Sequence, residues 1–239
     1  MGDRDAEVLD DPVGESLRGH HAHLARLVGR AATYTPEVAT FCALPAEPDE
    51  DSWSELAELL GRGELADMFS CPATPPSDWE PVFSLEGLQM IRPADSHPGH
   101  NPLEHDACEH GPAVVELGVE DVPEMLDLTA RTAPGPFRPR THELGTYLGI
   151  RESGTLVAMA GERLRPTGWS EISAVCTAPE ARGRGHAARL VLAMIERIES
   201  RGERPFLHVV AANTDARALY ERLGFVVRKA VTFRGFRTP

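Results

Sequence analysis

The chain has 239 residues, is 41% hydrophobic and carries a net charge of −13, a composition with enough apolar mass for one large core or two modest ones. No apolar run approaches the length of a membrane span, and the start, MGDRDAEVLDD, is acidic rather than a basic-then-apolar leader, so a cytoplasmic location with no membrane partner is expected. Residues 1–112 carry 22 acidic and 6 basic side chains, net −16, whereas 113–239 carry 15 and 18, net +3, and the acidic part argues against a nucleic-acid partner.

In chain order, the first dozen residues show little periodicity and are expected to fray, with a helix following from about Ser16 to Ala31. His20, His21 and His23 read as a His-rich helix surface rather than a metal site. Val38 to Leu44 reads as a strand. Ser52, with Glu55 three residues on, has the spacing of a capping box for a helix through Leu60 before Gly61. Leu65 to Ser70 follows as a short strand, and Trp79 to Ile91 as one or two strands broken at Glu86-Gly87. Residues 1–91 thus read as an N-terminal α/β accessory lobe.

Residues 92–112 are polar and rich in proline and histidine, the composition of a linker. His97, His100, His105, Asp106, Cys108 and His110 supply zinc chemistry, but their spacing matches no zinc module and no metal is expected. Cys42, Cys71, Cys108 and Cys176 include no Cys-x-x-Cys pair, which is the pattern of free thiols.

From Ala113 the pattern becomes regular. A strand to Gly118 precedes a helix through about Arg131, an irregular loop at 132–141, and three antiparallel strands over 144–151, 156–165 and 169–177. The last delivers the chain into Arg182-Gly183-Arg184-Gly185, and then a long helix in which Ala187, Leu190, Val191, Met194, Ile195 and Ile198 share one face. Unpartnered N–H groups and the helix dipole favour an anion at such a start, and the glycines allow close approach, so a phosphate is expected there. Pro205 to Val210 is a short buried strand. Asn213 caps a further helix carrying Ala216, Leu219, Tyr220 and Leu223 on one face, and Phe225 to Phe236 forms a last strand or hairpin.

Gly183-x-Gly185-x-x-Ala188 also satisfies a dinucleotide fingerprint, with Glu203 twenty residues past Gly183. Five residues, Ala178 to Arg182, separate strand from glycine, however, and Glu203 precedes the next strand instead of ending it. No Gly-Lys-Ser/Thr exists for a Walker loop; Lys229 is the only lysine.

Arg182, Gly185 and Ala187, together with the distant run Asn213, Ala216, Tyr220, Gly224 and Phe225, resemble the GNAT superfamily of acyl-CoA-dependent N-acyltransferases. The C-terminal wording is most similar to its glycine N-acyltransferase-like branch. The resemblance covers about 113–239 and implies an α+β fold, a mixed and mostly antiparallel sheet flanked by helices; residues 1–112 match no motif, and their strand–helix–strand order is that of a degenerate second copy of the fold. It further implies that acetyl-CoA is held by the backbone of Val175, Cys176 and Thr177 along the pantetheine arm, and by Arg182, Gly183, Arg184, Gly185, His186, Ala187 and Ala188 at the pyrophosphate. By the same resemblance Asn213 bonds the pantetheine or orients its helix, and Tyr220 protonates the departing sulfur.

Glu171, at the start of the same strand, is the candidate general base, and His208 is read as structural. The expected activity is acetyl transfer to a primary amine of a small molecule or peptide, directly in a ternary complex. A longer-chain acyltransferase and a non-catalytic acyl-CoA-binding regulatory module are the alternatives. A homo-oligomer is compatible with the sequence.

Overall fold

A computed structural model describes residues 4–93 and 112–239. From Arg4 onward the segment expected to fray is folded. A 3-10 turn, Arg4–Asp10, leads into α1 (Pro12–Arg18), where the Asp11 side chain accepts the Gly14 N–H at 3.0 Å and proline occupies the first turn. Ala6, Leu9, Val13 and Leu17 are buried, which anchors the segment to the core.

The helix expected through Ala31 ends at Arg18. Instead β1 (Ala25–Val28) and β2 (Ala31–Tyr34) form a hairpin turning at Gly29, whose φ is +53°, and β3 (Cys42–Ala43) adds a third short strand. Leu27, in β1, is 64% exposed. Strand pairing decided the segment. His21 is not on a helix surface either: it is buried between the Tyr34 hydroxyl and the Leu144 carbonyl, each at 3.0 Å, and burial pushes its pKa down to about 4.

In α2 (Glu50–Leu60) the cap is Asp49, not Ser52. The Asp49 carboxylate accepts the Ser52 N–H at 2.9 Å and the Ser52 hydroxyl accepts the Asp49 N–H at 3.3 Å, a reciprocal box one turn earlier than expected. Gly61, with φ +99°, ends the helix as read.

The remaining strands make one eight-stranded sheet. They are β4 (Leu65–Phe69), β5 (Glu80–Ile91), β6 (Val114–Leu117), β7 (Tyr147–Glu152), β8 (Thr155–Glu162), β9 (Trp169–Thr177), β10 (Arg204–Val210) and β11 (Val226–Arg237), in the spatial order β4-β11-β5-β10-β9-β8-β7-β6. Every pair is antiparallel except β9 with β10. Helices α3 (Val122–Thr132), α4 (His186–Ser200) and α5 (Thr214–Arg222) flank it. The expected α+β class holds. On α4 the residues Leu190, Val191, Met194, Ile195 and Ile198 are buried against the sheet, as their spacing requires.

Two features of this order matter for the site. β5, from the first half of the chain, lies between β10 and β11, and β4 closes the same sheet against β11. The boundary expected at 92–112 therefore does not divide the sheet, and residues 4–91 form no second sheet of comparable size. β5 also runs unbroken through Glu86-Gly87, and β11 is a single strand. The histidine-rich set at 97–110 lies outside the described residues; among those described, no group of three His, Cys, Asp or Glu side chains gathers to hold a metal, and no helix is long and apolar enough to cross a membrane.

Candidate active site

The parallel pair β9 and β10 stays together over only three residues, Trp169–Glu171 against Arg204–Phe206. Beyond Glu171 the strands part. On the other side of β9 the register jumps from Met159–Cys176 to Gly161–Ser173, leaving Ala174 and Val175 without partners on β8, and Ala174 adopts a left-handed φ of +52°. A non-glycine residue held there marks a bulge, a device that turns backbone N–H groups out of the ladder. The opened edge of β9 forms one wall of a cavity of about 800 Å³ that Ile172 to Thr177 line in sequence.

At the C-terminal end of β9 the chain makes a 3-10 turn, Pro179–Ala181, and passes through Gly183 and Gly185, both with φ +77°, into α4. A Cβ on either glycine would meet nothing within 4 Å, so the backbone there is bare on its outer side. The first-turn amides of His186, Ala187 and Ala188 have no intrahelical acceptors. Arg182 donates from Nε to the Thr177 carbonyl at 3.4 Å and borders the cavity.

Two residues of the glycine turn have their side chains engaged elsewhere. Glu152 draws the side chains of Arg184 (2.6 Å) and His186 (2.9 Å) to itself, and the His186 ring is buried. These two residues are therefore available to an anion through their backbone rather than their side chains.

Across the cavity stands α5. Its cap is made by Asn213, whose side-chain oxygen accepts the Ala216 N–H at 3.2 Å. Tyr220 is buried to 8% exposure yet borders the cavity, and burial raises its pKa to about 12, so its hydroxyl keeps its proton at neutral pH. Cys176 borders the cavity too. Burial pushes its thiol pKa up, against an opposing hydrogen bond from Thr132, which makes it a poor nucleophile.

Glu171 does not border the cavity as a free base. It is fully buried, gripped by Arg163 through Nε (2.9 Å) and Nη2 (2.6 Å), and accepts His208 Nδ1–H at 2.6 Å. Burial alone pulls its pKa upward, but the Arg163 charge and bonds, with those of His208, outweigh this and hold it at about 2. A carboxylate so depressed and so fully engaged is a weak base, which corrects the role expected of it. His208, whose pKa is lowered by burial, is neutral; its Nε2 accepts the Gln89 amide at 3.1 Å, so neither nitrogen is free for proton transfer.

The crystal structure of a GNAT-family protein from Novosphingobium aromaticivorans is 37% identical to this chain, covers 97% of it and 98% of itself, and superposes with a TM-score of 0.83. The chain belongs to the GNAT family. It is thus an acyl-CoA-dependent N-acetyltransferase by class.

The model of the FR47-like protein family matches residues 147–234. Two further GNAT folds span nearly the whole chain at 17% identity: a GCN5-related N-acetyltransferase from Kribbella flavida (95% of this chain and 94% of that one, TM-score 0.60), and a GCN5-related N-acetyltransferase-like protein from Streptococcus suis (98% of both, TM-score 0.58). No curated protein matches.

In this GNAT chain the fold gathers Val175, Cys176, Thr177, Arg182, Asn213 and Tyr220 around one cavity and leaves Glu171 behind its wall. No residue of the opposite wall was singled out from the sequence: Phe41, Asp67, Phe69 and Phe83 come from the first half, and Arg163 and Phe233 from later strands. One signal was present. Asp67 is the only charged residue in the run Leu65 to Ser70, and buried carboxylates are rare without a purpose.

Proposed function

We propose that the protein transfers the acetyl group of acetyl-CoA to a primary amine of a small molecule or peptide, by direct attack in a ternary complex. The observation that carries this reading is the opened, bulged edge of β9 running into the glycine turn, with Tyr220 facing the same cavity. The pantetheine arm pairs with the edge of β9 as an added strand, and its pyrophosphate takes the bare amides from Gly183 to Ala188. Backbone N–H at the bulge, near Val175 and Cys176, polarises the thioester carbonyl as the amine attacks. The C–S bond then breaks and the sulfur takes the proton of Tyr220, which burial holds in place until that moment. The protonated Cys176 thiol favours this direct route over an acyl-cysteine intermediate.

The run from Asn213 to Phe225 keeps the chain near the glycine N-acyltransferase-like branch, and a longer acyl donor is the second reading, favoured by a cavity roomier than an acetyl group needs. A thermal-shift comparison of acetyl-CoA, octanoyl-CoA and NAD is the first test. A ligand at a hundred times its dissociation constant adds about 2.7 kcal/mol. Tyr220→Phe is expected to keep acetyl-CoA affinity and lose about 100-fold in kcat. Unchanged turnover in that variant removes the acid role, and stabilisation by NAD alone removes the donor site.

A further inference from the structure

The wall facing the donor groove is built from β4, β5 and β11 with Phe41 beside them, and the side chains these strands present to it are apolar except at Asp67. Phe69 stacks on Phe233 at 4.7 Å and 13°, Phe41 packs on Phe69 at 4.7 Å, and Phe83 completes the surface. Residues i and i+2 of a strand share a face, so Asp67 projects beside Phe69, while Ala66 and Met68 turn to the core behind. Asp67 is only 5% exposed and borders the cavity. The Thr40 hydroxyl donates to its Oδ2 at 2.7 Å, and among the described residues Oδ1 has no hydrogen-bond partner.

The charge balance of this wall is uneven. Arg163, lying over Phe41 and Phe69 at 5.2 and 4.6 Å, is neutralised by the bidentate Glu171, and His208 is uncharged. Among the described residues Asp67 makes no such pair. The other carboxylate bordering the cavity, Asp215, is solvent-exposed at the start of α5, where water satisfies it. A buried carboxylate with an open oxygen in an apolar pocket calls for a cation or a proton.

We propose that Asp67 receives the acceptor: it binds the incoming substrate as an ammonium ion, seats its apolar body against Phe69, Phe83 and Phe233, and takes the proton that frees the nitrogen for attack. This rests on the N-acetyltransferase reading and names the acceptor class as a primary amine with an apolar or aromatic body. Asp67 accepts one N–H proton of R–NH3⁺. The neutral nitrogen forms the N–C bond to the thioester carbon, the C–S bond breaks, and the thiolate takes the Tyr220 proton. The second proton lost by the nitrogen restores Tyr220 through solvent, and Asp67 releases the first to water. The sum is amine cation plus acetyl-CoA giving amide, CoA thiol and one proton.

Burial raises the pKa of Asp67, the Thr40 hydrogen bond and the charges of Arg163 and Arg138 opposing it, and a raised value suits a base that must also let its proton go. The charged and titratable groups around it are Arg163, Arg138 and the buried Cys42 thiol, whose pKa lies at about 12; β11 presents Gly235 opposite it.

The test uses the full chain, acetyl-CoA and a panel of primary amines headed by 2-phenylethylamine, with 2-phenylethanol as the uncharged control. Asp67→Asn keeps the Thr40 hydrogen bond. It is expected to retain the wild-type thermal shift with acetyl-CoA, lose about 100-fold in kcat/KM for the amine, and lose the rising acid limb of the pH profile. Binding of 2-phenylethanol is expected to be unchanged, and Asp67→Glu to recover part of the rate. If Asp67→Asn matches wild type in kcat/KM and pH profile, the proposal is overturned while the N-acetyltransferase reading stands. If the wild type shifts with acetyl-CoA but acetylates no amine of the panel, that reading fails and the proposal with it.

Discussion

A carboxylate at the head of a strand next to a donor groove invites a base assignment, and Glu171 shows what burial and partners do to it. Arg163 and His208 occupy its oxygens, so it orients the Arg163 guanidinium and fixes the His208 tautomer instead of moving protons. Its pKa falls from 4.5 unfolded to about 2 folded, so the stability it contributes is fully present above the unfolded value and is lost as pH falls through about 4 toward 2. Glu171→Gln breaks a buried ion pair and is expected to lower stability by about 3–5 kcal/mol in urea unfolding at pH 7. The variant is also expected to show a smaller loss than wild type between neutral and acid pH. A variant with wild-type stability but greatly reduced kcat would return Glu171 to the role of base.

Among the elements, the turn between β9 and α4 combines two left-handed glycines with the start of a fifteen-residue helix. The left-handed conformation costs an L-residue about 1–2 kcal/mol. Gly185→Ala is expected to weaken acetyl-CoA binding about tenfold or more by calorimetry, because its Cβ would stand on the face the phosphate approaches. Gly202, at the far end of the same helix, has a nearly identical φ of +76° and equally open space. Gly202→Ala therefore carries the same strain and is expected to leave acetyl-CoA affinity untouched. Equal loss of affinity in both variants would mean that the turn acts only through stability. Both glycines and the helix face were legible from spacing. The bulge at Ala174 was not, because an alanine in an apolar strand carries no local mark of a left-handed φ.

At the scale of the molecule, the first half of the chain is a structural part of the catalytic sheet. β5 contacts β10 over five residue pairs, from Phe206–Ile91 to Val210–Gly87, and separates it from β11. Removing residues 1–91 would leave β10 and β11 with unpaired edges and uncover Phe206 and Phe233, whose burial rests on that half. The fragment 92–239 is expected to lack cooperative thermal unfolding by circular dichroism and to bind no acetyl-CoA. A fragment that folds and binds the donor would make the N-terminal half a true accessory lobe.

The sequence by itself determined the proposed donor side: a strand, a glycine turn, an amphipathic helix, and the Asn213 and Tyr220 pair. Each is local, written in spacing within a few turns of chain, and the phosphate and pantetheine contacts need backbone more than side chains. Tertiary structure alone decided the proposed acceptor side. Asp67 and Phe69 meet Arg163 and Phe233 because β4 and β5 pair with β10 and β11, more than a hundred residues further along the chain. Register between strands so far apart is set by which faces pack together, and no local pattern records it.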